Sequence, residues 1–502
     1  MATNKGNGLS FMFSEDMYSY MTPIIILAIT VLWLLWSVSS YFRDRNQPGP
    51  PLPPGNLGFP FIGQTVEYVL ALRSADGIRE WFQKKNDRYG PIFKWRLWGY
   101  EMVMMDLPEG NQFIFQNEGI SHHIFWPGHM STLLGPDSLL VLTGEHHKLN
   151  RRYFDRFFDH NSMCRYLPEV NRNAVRHFTK LWQGKEQVVA HEMTNLYTFS
   201  TICNLVLTLE KGPRMDKFLV DFHVWTQGLS YLPINLPGFQ YSKVLKARKS
   251  ILELLGEVME QRRKEIAEDR VSEAARIDIL NNLLTVPDDE GNLLQDSSIK
   301  DNLLLLLIAG FDTSSSILAM AIYYIAKHPH VYKEIVHEHK LILEEKRLSG
   351  KDDDSLTMEN LSAMKYTWRV IKETLRLQPV TAGGWRKTVT NLEYKGYYIP
   401  KGWLLFWSQS VNYSPKYFQD PLKFDPSRWE RPPPLYTYLP FSSGSHTCLG
   451  NEFAKLEMLV FIHHLVKRYS WSLIDPNVPI IRDPFPKTLD KTLIAVKDLT
   501  SS

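Results

Sequence analysis

The chain has 502 residues, of which 44% are hydrophobic and 22% are charged, and this is the composition of a folded globular protein. The net charge is only +3, so the composition gives no reason to expect a nucleic-acid partner. Three cysteines (Cys164, Cys203 and Cys448) in so long a chain argue against a disulfide framework and indicate that the folded part faces a reducing compartment.

An uncharged segment near the N-terminus predicts a membrane anchor. No charged residue occurs between Met17 and Phe42, and this apolar segment reaches the roughly 20 residues that a helix needs to span a bilayer. A cleaved secretory signal is the alternative, but the segment lacks a basic region before it and is long for such a signal. Arg43 and Arg45 follow directly, against Lys5 alone on the other side, so the positive-inside rule places the remainder of the chain in the cytosol.

A proline-rich stretch over residues 47–55 separates this segment from the rest of the chain. Proline at this density makes a stiff, extended spacer that cannot be helical. An ordinary linker and a hinge that orients a folded domain on a membrane both fit this pattern. The sequence therefore predicts a tail and anchor helix over 1–45, a hinge over 46–58 and a folded domain over 59–502.

The first half of the predicted domain mixes short strand-like runs with long helical patterns. The run Ile92–Leu97 predicts a strand. Between Gly144 and Arg152, His147 and Arg151 are four residues apart and share one face of a predicted helix. A basic pair of this kind usually marks a solvated face.

Residues 299–328 predict a long helix in a large core, because the segment lacks proline and is apolar on most sides. Gly310 lies in its middle and costs about 1 kcal/mol relative to alanine. Asp312, Thr313 and three serines follow, and such residues compete for backbone hydrogen bonds. One interpretation is a kink that relieves packing. The other is a groove above a flat cofactor, to which an acid and an alcohol are presented for proton transfer.

Another helical pattern carries Glu373 and Arg376, three residues apart. Such a pair is usually a surface ion pair worth under roughly 1 kcal/mol. Arg428 comes later, two residues after a proline. Between them, the segment Leu392–Trp403 alternates around Gly396 in the manner of a β-hairpin.

The segment Phe441–Gly450 contains a cysteine in a position that suits a reactive or metal-binding sulfur. Small residues lead to Cys448, and an apolar helical pattern follows at once in Leu449, Phe453, Leu456 and Val460. Near a helix N-terminus, backbone N–H groups favour an anionic sulfur, which acts either as a nucleophile or as a metal ligand. An inert buried cysteine is the ordinary alternative.

The spacing Phe-x-x-Gly-x-(basic)-x-Cys-x-Gly resembles the haem-binding signature of the cytochrome P-450 family. The resemblance implies that haem b is bound with the Cys448 thiolate as the axial iron ligand. It also implies that Phe441 packs beside the sulfur and that Gly444 and Gly450 let the backbone approach the macrocycle. The sequence departs from the family at His446, where an arginine is usual, and at the two serines that replace a Gly-Gly pair. A histidine can still hydrogen-bond a haem propionate.

Two further elements resemble the family in order and spacing. Ala309–Thr313 is similar to its oxygen-activation element, which implies that Asp312 relays protons and that Thr313 holds the reacting group. The second element is similar to the buried Glu–Arg–Arg network of the family. In that network, charge-assisted hydrogen bonds fix the position of the haem-binding loop. The residues of that network would be Glu373, Arg376 and Arg428.

Weaker resemblances concern the haem propionates. Arg151 matches the arginine of the family's Trp-x-x-x-Arg element, in which His147 replaces the tryptophan. An arginine placed like Arg386 often meets a propionate in the family. Nearby basic residues suggest a patch that docks an acidic redox partner, which is a hypothesis on charge alone. These residues are Lys148, Arg152 and Arg156.

With the anchor and hinge, the resemblance covers the whole chain. It implies a mainly α fold with a small β region (α+β), the triangular prism of the family, preceded by one transmembrane helix. It also implies a monooxygenase that takes electrons from NADPH through a reductase and sits in the endoplasmic reticulum membrane with its catalytic domain in the cytosol. Three segments are similar to the plant clan of terpenoid and sterol oxidases, namely Leu52–Gly63, Pro233–Gly238 and Tyr397–Trp403. This similarity implies an apolar triterpenoid, diterpenoid or sterol-like substrate.

Two alternatives remain beside the monooxygenase. An isomerase or dehydratase of the same family would act on hydroperoxides without a reductase, but it would need no proton relay, so the intact Asp312–Thr313 pair argues against it. A non-enzymatic haem-binding or membrane scaffold protein is the second alternative. The resemblance also suggests mostly apolar substrate-pocket candidates, which are Phe125, Trp126, Leu306, Phe311, Thr381, Ala382 and Leu489.

Overall fold

The computed structural model describes residues 49–499, apart from Pro60, 75–76, 210–212, 231–233, Asp289, Ser349 and 351–352, together with five helical positions between Leu27 and Leu35. Except for those five positions, the predicted anchor over Met17–Phe42 lies outside the described residues.

Helices make up most of the described chain. Before the longest helix they are α1 (Thr65–Arg73), α2 (Gly77–Tyr89), α3 (Pro108–Gln116), α4 (Gly128–Leu134), α5 (Gly144–Asp155), α6 (His160–Leu181), α7 (Ala190–Val206), α8 (Pro213–Thr226), α9 (Gln240–Ala267), α10 (Glu273–Arg276) and α11 (Ile279–Thr285). The longest helix and those after it are α12 (Asp296–Lys327), α13 (Pro329–Leu348), α14 (Met358–Ala363), α15 (Lys365–Leu377) and α16 (Asn451–Arg468).

The strands form one larger sheet and three small ones. They are β1 (Ile92–Leu97), β2 (Tyr100–Met105), β3 (His122–Ile124), β4 (Gln187–Val189), β5 (Gly383–Thr388), β6 (Leu392–Tyr394), β7 (Tyr397–Ile399), β8 (Leu404–Ser408), β9 (Tyr469–Leu473), β10 (Ile480–Arg482), β11 (Pro486–Thr488) and β12 (Leu493–Asp498). The five-stranded sheet has the order β1-β2-β8-β5-β3, and β4-β12-β9, β10-β11 and β6-β7 form the others. Among the strand pairs of the described residues, β2–β8 is parallel and the others are antiparallel.

The mainly helical architecture with small sheets confirms the predicted fold class. The predicted strand Ile92–Leu97 is β1, and all six of its residues are buried, which explains its continuous apolar character. The hairpin predicted around Gly396 is β6–β7, with Tyr394 opposite Tyr397. These features were predictable because their signals are local in the chain.

The second half of the proline-rich stretch is attached to the folded domain. The carbonyl of Pro54 accepts a hydrogen bond of 2.7 Å from the Lys94 N–H in β1, and the carbonyl of Pro51 accepts one of 2.9 Å from the Tyr398 N–H in β7. Gly55 adopts a φ of +132°, and a Cβ there would lie 2.2 Å from the Lys94 carbonyl oxygen. The rigid spacer therefore ends in a fixed contact with two sheets.

Helix α12 occupies the centre of the core. It packs along α7 and also contacts α13, α15 and α16. Among the described residues it is the one helix long and apolar enough to cross a membrane, but 72% of its most apolar window is buried inside the protein. It is therefore a core helix, as its burial pattern requires, and it supplies one wall of the candidate site.

Candidate active site

Cys448 lies in a short structured loop ahead of helix α16. The loop is closed by a hydrogen bond of 2.9 Å from the Cys448 N–H to the Phe441 carbonyl, and a 3-10 turn spans Gly444–His446. Gly444 has a φ of +73°, and a Cβ there would lie 3.2 Å from the Phe115 carbonyl oxygen, so its lack of a side chain serves both the turn and the contact with α3. Gly450 precedes Asn451, where the helix begins.

The environment of Cys448 differs from the sequence-based expectation. Burial among protein atoms raises the pKa of the Cys448 thiol, and the Gly450 N–H and the Arg151 charge only partly oppose this effect. The N–H at the helix N-terminus thus lowers the pKa of the thiol, as expected, but burial outweighs this effect. Cys448 is nevertheless exposed at its surface, in contrast to the fully buried Cys203. A thiol of this kind becomes a stable thiolate when it coordinates a metal, because coordination deprotonates it.

Helix α12 is continuous through Gly310, so the glycine does not produce a break. A Cβ at Gly310 would lie 2.6 Å from the Ile202 Cδ1, so the glycine permits the close approach of α7. The preceding residue, Ala309, is exposed although it lies between buried turns of the helix. The close contact with α7 and the exposed site thus occupy adjacent positions on α12.

Asp312 and Thr313 follow directly on this helix, and both are half-buried. The Thr313 Oγ1 donates a hydrogen bond of 2.5 Å to the Ala309 carbonyl. Burial raises the pKa of Asp312 to about 7, and the charge of Lys487 only partly opposes this shift. A carboxyl group with such a pKa exchanges protons readily near neutral pH.

Glu373 and its arginines form one buried network. Two hydrogen bonds join Arg376 to Glu373, at 2.8 and 3.0 Å, and the Arg428 Nε donates to the Glu373 Oε1 at 2.9 Å. The Asp425 N–H and the Trp429 Nε1 donate to the same carboxylate, at 3.0 and 2.9 Å. Because Glu373 and Arg376 are both 0% exposed, the surface ion pair considered for this spacing does not apply.

The structure brings helix α5 against the loop that carries Cys448. Arg151 donates a hydrogen bond to the Thr447 carbonyl and pairs with Asp155 at 2.7 Å. The ring of His147 stacks on that of His446, with centroids 3.7 Å apart and planes inclined by 20°. Burial, with the charges of His446 and Arg151, lowers the pKa of His147 to about 4. The pair predicted on one helical face is therefore in contact with the loop and is not a solvated face.

Arg386 is almost fully buried, and its partner is a residue that the sequence analysis missed. The Arg386 Nε lies 2.6 Å from the Glu118 Oε1, and the His446 Nδ1 lies 3.1 Å from the same oxygen. Burial acts to raise the pKa of Glu118, but the hydrogen bond from His446 and the charge of Arg386 lower it to about 2. No motif marks Glu118, because its partners lie more than two hundred residues away in the chain.

Comparison with known proteins identifies the family. The chain matches the sequence model of the cytochrome P-450 family over residues 53–493. It belongs to the cytochrome P-450 family. A taxane 13-alpha-hydroxylase from Taxus cuspidata is 34% identical over 92% of this P-450 and 94% of its own length. Beta-amyrin 28-monooxygenases from Vitis vinifera and Solanum lycopersicum are 33% and 34% identical over 92% of the chain and over 94% and 96% of their own length.

A solved structure agrees with this assignment. The retinoic acid-bound cyanobacterial CYP120A1 superposes on this P-450 with a TM-score of 0.79 and 30% identity, covering 90% of this chain and 100% of that one. The family and the relatives named as monooxygenases identify the chain as an enzyme of the P-450 monooxygenase type.

The family implies a haem with thiolate-ligated iron, and the residues of this P-450 fit that group. Cys448 offers an exposed sulfur, and Ala309 exposes a small side chain on the long core helix. The side chains predicted to meet the propionates gather around the loop between Phe441 and Gly450, where two of them, Arg386 and His446, already contact the carboxylate of Glu118. The four side chains are those of Arg151, His147, His446 and Arg386.

The residues suggested for the substrate pocket differ in how far they are exposed to solvent. Phe311 is only 6% exposed and packs against Phe199 and Phe222 in the core. Leu489 is 63% exposed. Leu306 is also buried, Phe125 and Trp126 contact Tyr100 and Trp385, and Thr381 and Ala382 precede β5, so all seven remain candidates.

Proposed function

We propose that this P-450 hydroxylates an apolar triterpenoid, diterpenoid or sterol-like substrate, using O2 and electrons that a reductase takes from NADPH. The observation that carries monooxygenation is the Asp312–Thr313 pair on α12, because the pKa of Asp312 near 7 suits a group that delivers protons at neutral pH. An isomerase or dehydratase that rearranges a hydroperoxide would not need this pair. The relatives named above act on a taxane and on beta-amyrin, which supports a polycyclic terpenoid substrate.

Within this proposal the sulfur of Cys448 would hold the iron of haem b. The bound haem would supply oxygen binding and the insertion of one oxygen atom into a C–H bond. Arg151, His147, His446 and Arg386 would hold its propionates, while Phe441, Gly444 and Gly450 would shape the loop beneath it. The network of Glu373, Arg376 and Arg428 would keep that loop in place.

The proposed proton path uses the residues of α12. Asp312 in its protonated form would donate a proton toward the oxygen site, and Thr313 would hold the receiving group by its hydroxyl. The hydroxyl donates to the Ala309 carbonyl, so its lone pairs are available as an acceptor on the exposed side of the helix. Lys487 acts on Asp312 electrostatically from the β11 strand and favours the return of its charged form.

A basic surface beside the Cys448 loop supports the proposed docking of a reductase. Lys148, Arg152 and Arg156 are exposed on or just after α5, the helix whose His147 and Arg151 contact the loop. Lys148 is paired with Glu145 at 2.6 Å, so part of the charge of this patch is already balanced within the protein. An acidic partner bound there would lie close to the proposed thiolate ligand.

The proposed membrane attachment combines three parts of the chain. Residues 1–45 would contain the single-pass anchor in the endoplasmic reticulum membrane, 46–58 the hinge, and 59–502 the cytosolic catalytic domain. Phe61 is 87% exposed, and Val66 and Leu70 on α1 are more than 60% exposed, so this end of the domain offers apolar surface next to the hinge. Such a patch is consistent with contact to a membrane.

The reduced carbon-monoxide difference spectrum tests the central proposal. A red-shifted Soret band that is absent in Cys448→Ser and retained in Cys164→Ser would establish Cys448 as the ligand, because Cys164 is an exposed cysteine elsewhere on the domain. Its absence in the folded, haem-supplied parent would overturn the proposal. Product formation with and without NADPH and a reductase then separates the monooxygenase from the isomerase or dehydratase and from a non-enzymatic haem protein.

A further inference from the structure

We propose that Glu118 is a positioning residue that clasps the Cys448 loop to the five-stranded sheet and so holds the sulfur in place for haem. This inference rests on the proposed role of Cys448 as the axial ligand. Glu118 lies between α3 and β3, far from Cys448 in the chain.

The carboxylate of Glu118 makes contacts in two directions. Toward the sheet, its Oε1 lies 2.6 Å from the Arg386 Nε in β5, and its Oε2 accepts a hydrogen bond of 3.4 Å from the Arg386 Nη2. Toward the loop, its Oε2 accepts a hydrogen bond of 3.1 Å from the Ser445 Oγ, and its Oε1 lies 3.1 Å from the His446 Nδ1. One side chain thus joins the sheet to two consecutive residues of the loop.

Glu118 contacts the loop at the residues that directly precede Cys448. On the other side of the loop, Arg151 holds the Thr447 carbonyl, and His147 stacks on His446. Residues 445–447 are therefore held from two sides directly before Cys448. Fixing these residues limits the positions that the sulfur can reach, because a trans backbone spans at most about 3.6 Å per residue.

The charge of Glu118 is part of this arrangement. The side chains of Glu118, Arg386 and His446 are 4%, 3% and 8% exposed, so their polar groups have little contact with water. Hydrogen bonds that involve a charged group in such surroundings are stronger than neutral ones. A glutamine at this position would keep the size of the side chain but would lose the pairing with the buried guanidinium.

The test compares Glu118→Gln and Ser445→Ala with the parent holoenzyme. Three quantities are measured: the rate of haem transfer to an acceptor globin, the fraction of protein with the thiolate-type band in the reduced carbon-monoxide spectrum, and amide hydrogen exchange in residues 441–450. We expect Glu118→Gln to lose haem about tenfold to a hundredfold faster, with a smaller thiolate-type fraction and faster exchange in the loop. Ser445→Ala removes one of the two contacts between Glu118 and the loop and leaves that of His446, so we expect a change of about twofold to tenfold in the same direction.

Asp278→Asn is the matched control. Asp278 is also a buried acid paired with an arginine, since both of its carboxylate oxygens lie 2.8 Å from the Arg262 Nη1, but it joins α9 to α11. Its loss is expected to lower stability and to leave haem transfer from the folded enzyme within about twofold of the parent.

The outcomes are separable. If the parent lacks a thiolate-type band, the proposed function fails and the clasp fails with it. If the parent has the band but both clasp variants match it in all three measurements, the clasp alone is refuted. If Glu118→Gln does not fold, Ser445→Ala decides, because it leaves the pair between Glu118 and Arg386 intact; parental behaviour in that variant overturns the proposal.

Discussion

Replacing Glu373 with glutamine tests whether the buried network supports the loop that carries Cys448. The carboxylate accepts hydrogen bonds from both arginines, from the Asp425 N–H and from the Trp429 indole. Arg376 also donates to the carbonyls of Asn412 and Pro421, at 2.8 and 2.7 Å. The network therefore connects α15 with the irregular segment that leads to the loop.

The expected cost follows from burial. Both Glu373 and Arg376 are 0% exposed, so Glu373→Gln leaves a guanidinium without its counter-charge in the interior. Breaking a buried pair in this way costs about 3–5 kcal/mol. A domain has a net stability of about 5–15 kcal/mol, so this single change removes a large part of it.

Arg369→Ala provides the matched control on the same helix. Arg369 pairs with Glu430 at 3.1 Å, but its side chain is 31% exposed and that of Glu430 is 64% exposed. Loss of such a pair costs under about 1 kcal/mol. Urea midpoints and haem content are measured for both variants and the parent. A Glu373→Gln variant no less stable than Arg369→Ala, with parental haem content, would refute the reasoning.

Three further predictions follow from other parts of the molecule. Gly310→Ala places a methyl group against Ile202, and this overpacking should lower the free energy of unfolding by about 1–3 kcal/mol. When Gly310→Ala is combined with Ile202→Ala, the urea midpoint should fall by less than the sum of the falls in the two single variants. Because the pKa of Asp312 is about 7, the carboxyl group is mostly protonated below pH 7 and mostly charged above it. The turnover rate of the parent should therefore fall as the pH rises through 7. The Asp312→Asn variant should not show this fall, and its turnover rate should be about a hundredfold lower. Burial lowers the pKa of His339 to about 3, and its Nδ1 lies 2.8 Å from that of His463, whose pKa burial also lowers. Because both rings stay neutral in the folded state while the unfolded state binds protons below about pH 6.5, the free energy of unfolding should fall by about 2 kcal/mol per histidine between pH 6.5 and 5. Urea titrations should show that His339→Gln makes this fall smaller.

The features predicted correctly from the sequence are those whose partners are close in the chain. Helix α12 begins at Asp296 and ends at Lys327, near the predicted 299–328, because an apolar run without proline signals a core helix on its own. The hairpin β6–β7 needed only a turn and alternating residues. The family motifs also extend over short spacings, which is why they could be recognised in the sequence; the roles of Cys448 and of the residues of α12 stay predictions.

The features that were missed depend on contacts across the fold. Glu118 meets Arg386 and Ser445 at separations of 268 and 327 residues, and nothing near it in the sequence indicates those partners. Periodicity placed Gly310 in a helix, but it did not show that the glycine contacts α7 instead of the candidate site. The helix N-terminus near Cys448 suggested a lowered thiol pKa, whereas burial, which depends on the whole fold, raises it.

Charged side chains contact the loop between Phe441 and Gly450 and the segment before it. Hydrophobic packing is non-directional, and it leaves an irregular segment free to adopt neighbouring arrangements. Arg151 and Glu118 instead meet the loop through hydrogen bonds of defined geometry, and Glu373 fixes the segment before it. Buried ion pairs add little net stability when compared with apolar replacements of the same volume. We therefore expect variants of these three residues to lose the proposed ligation of the haem iron by Cys448 under conditions in which the rest of the domain is still folded.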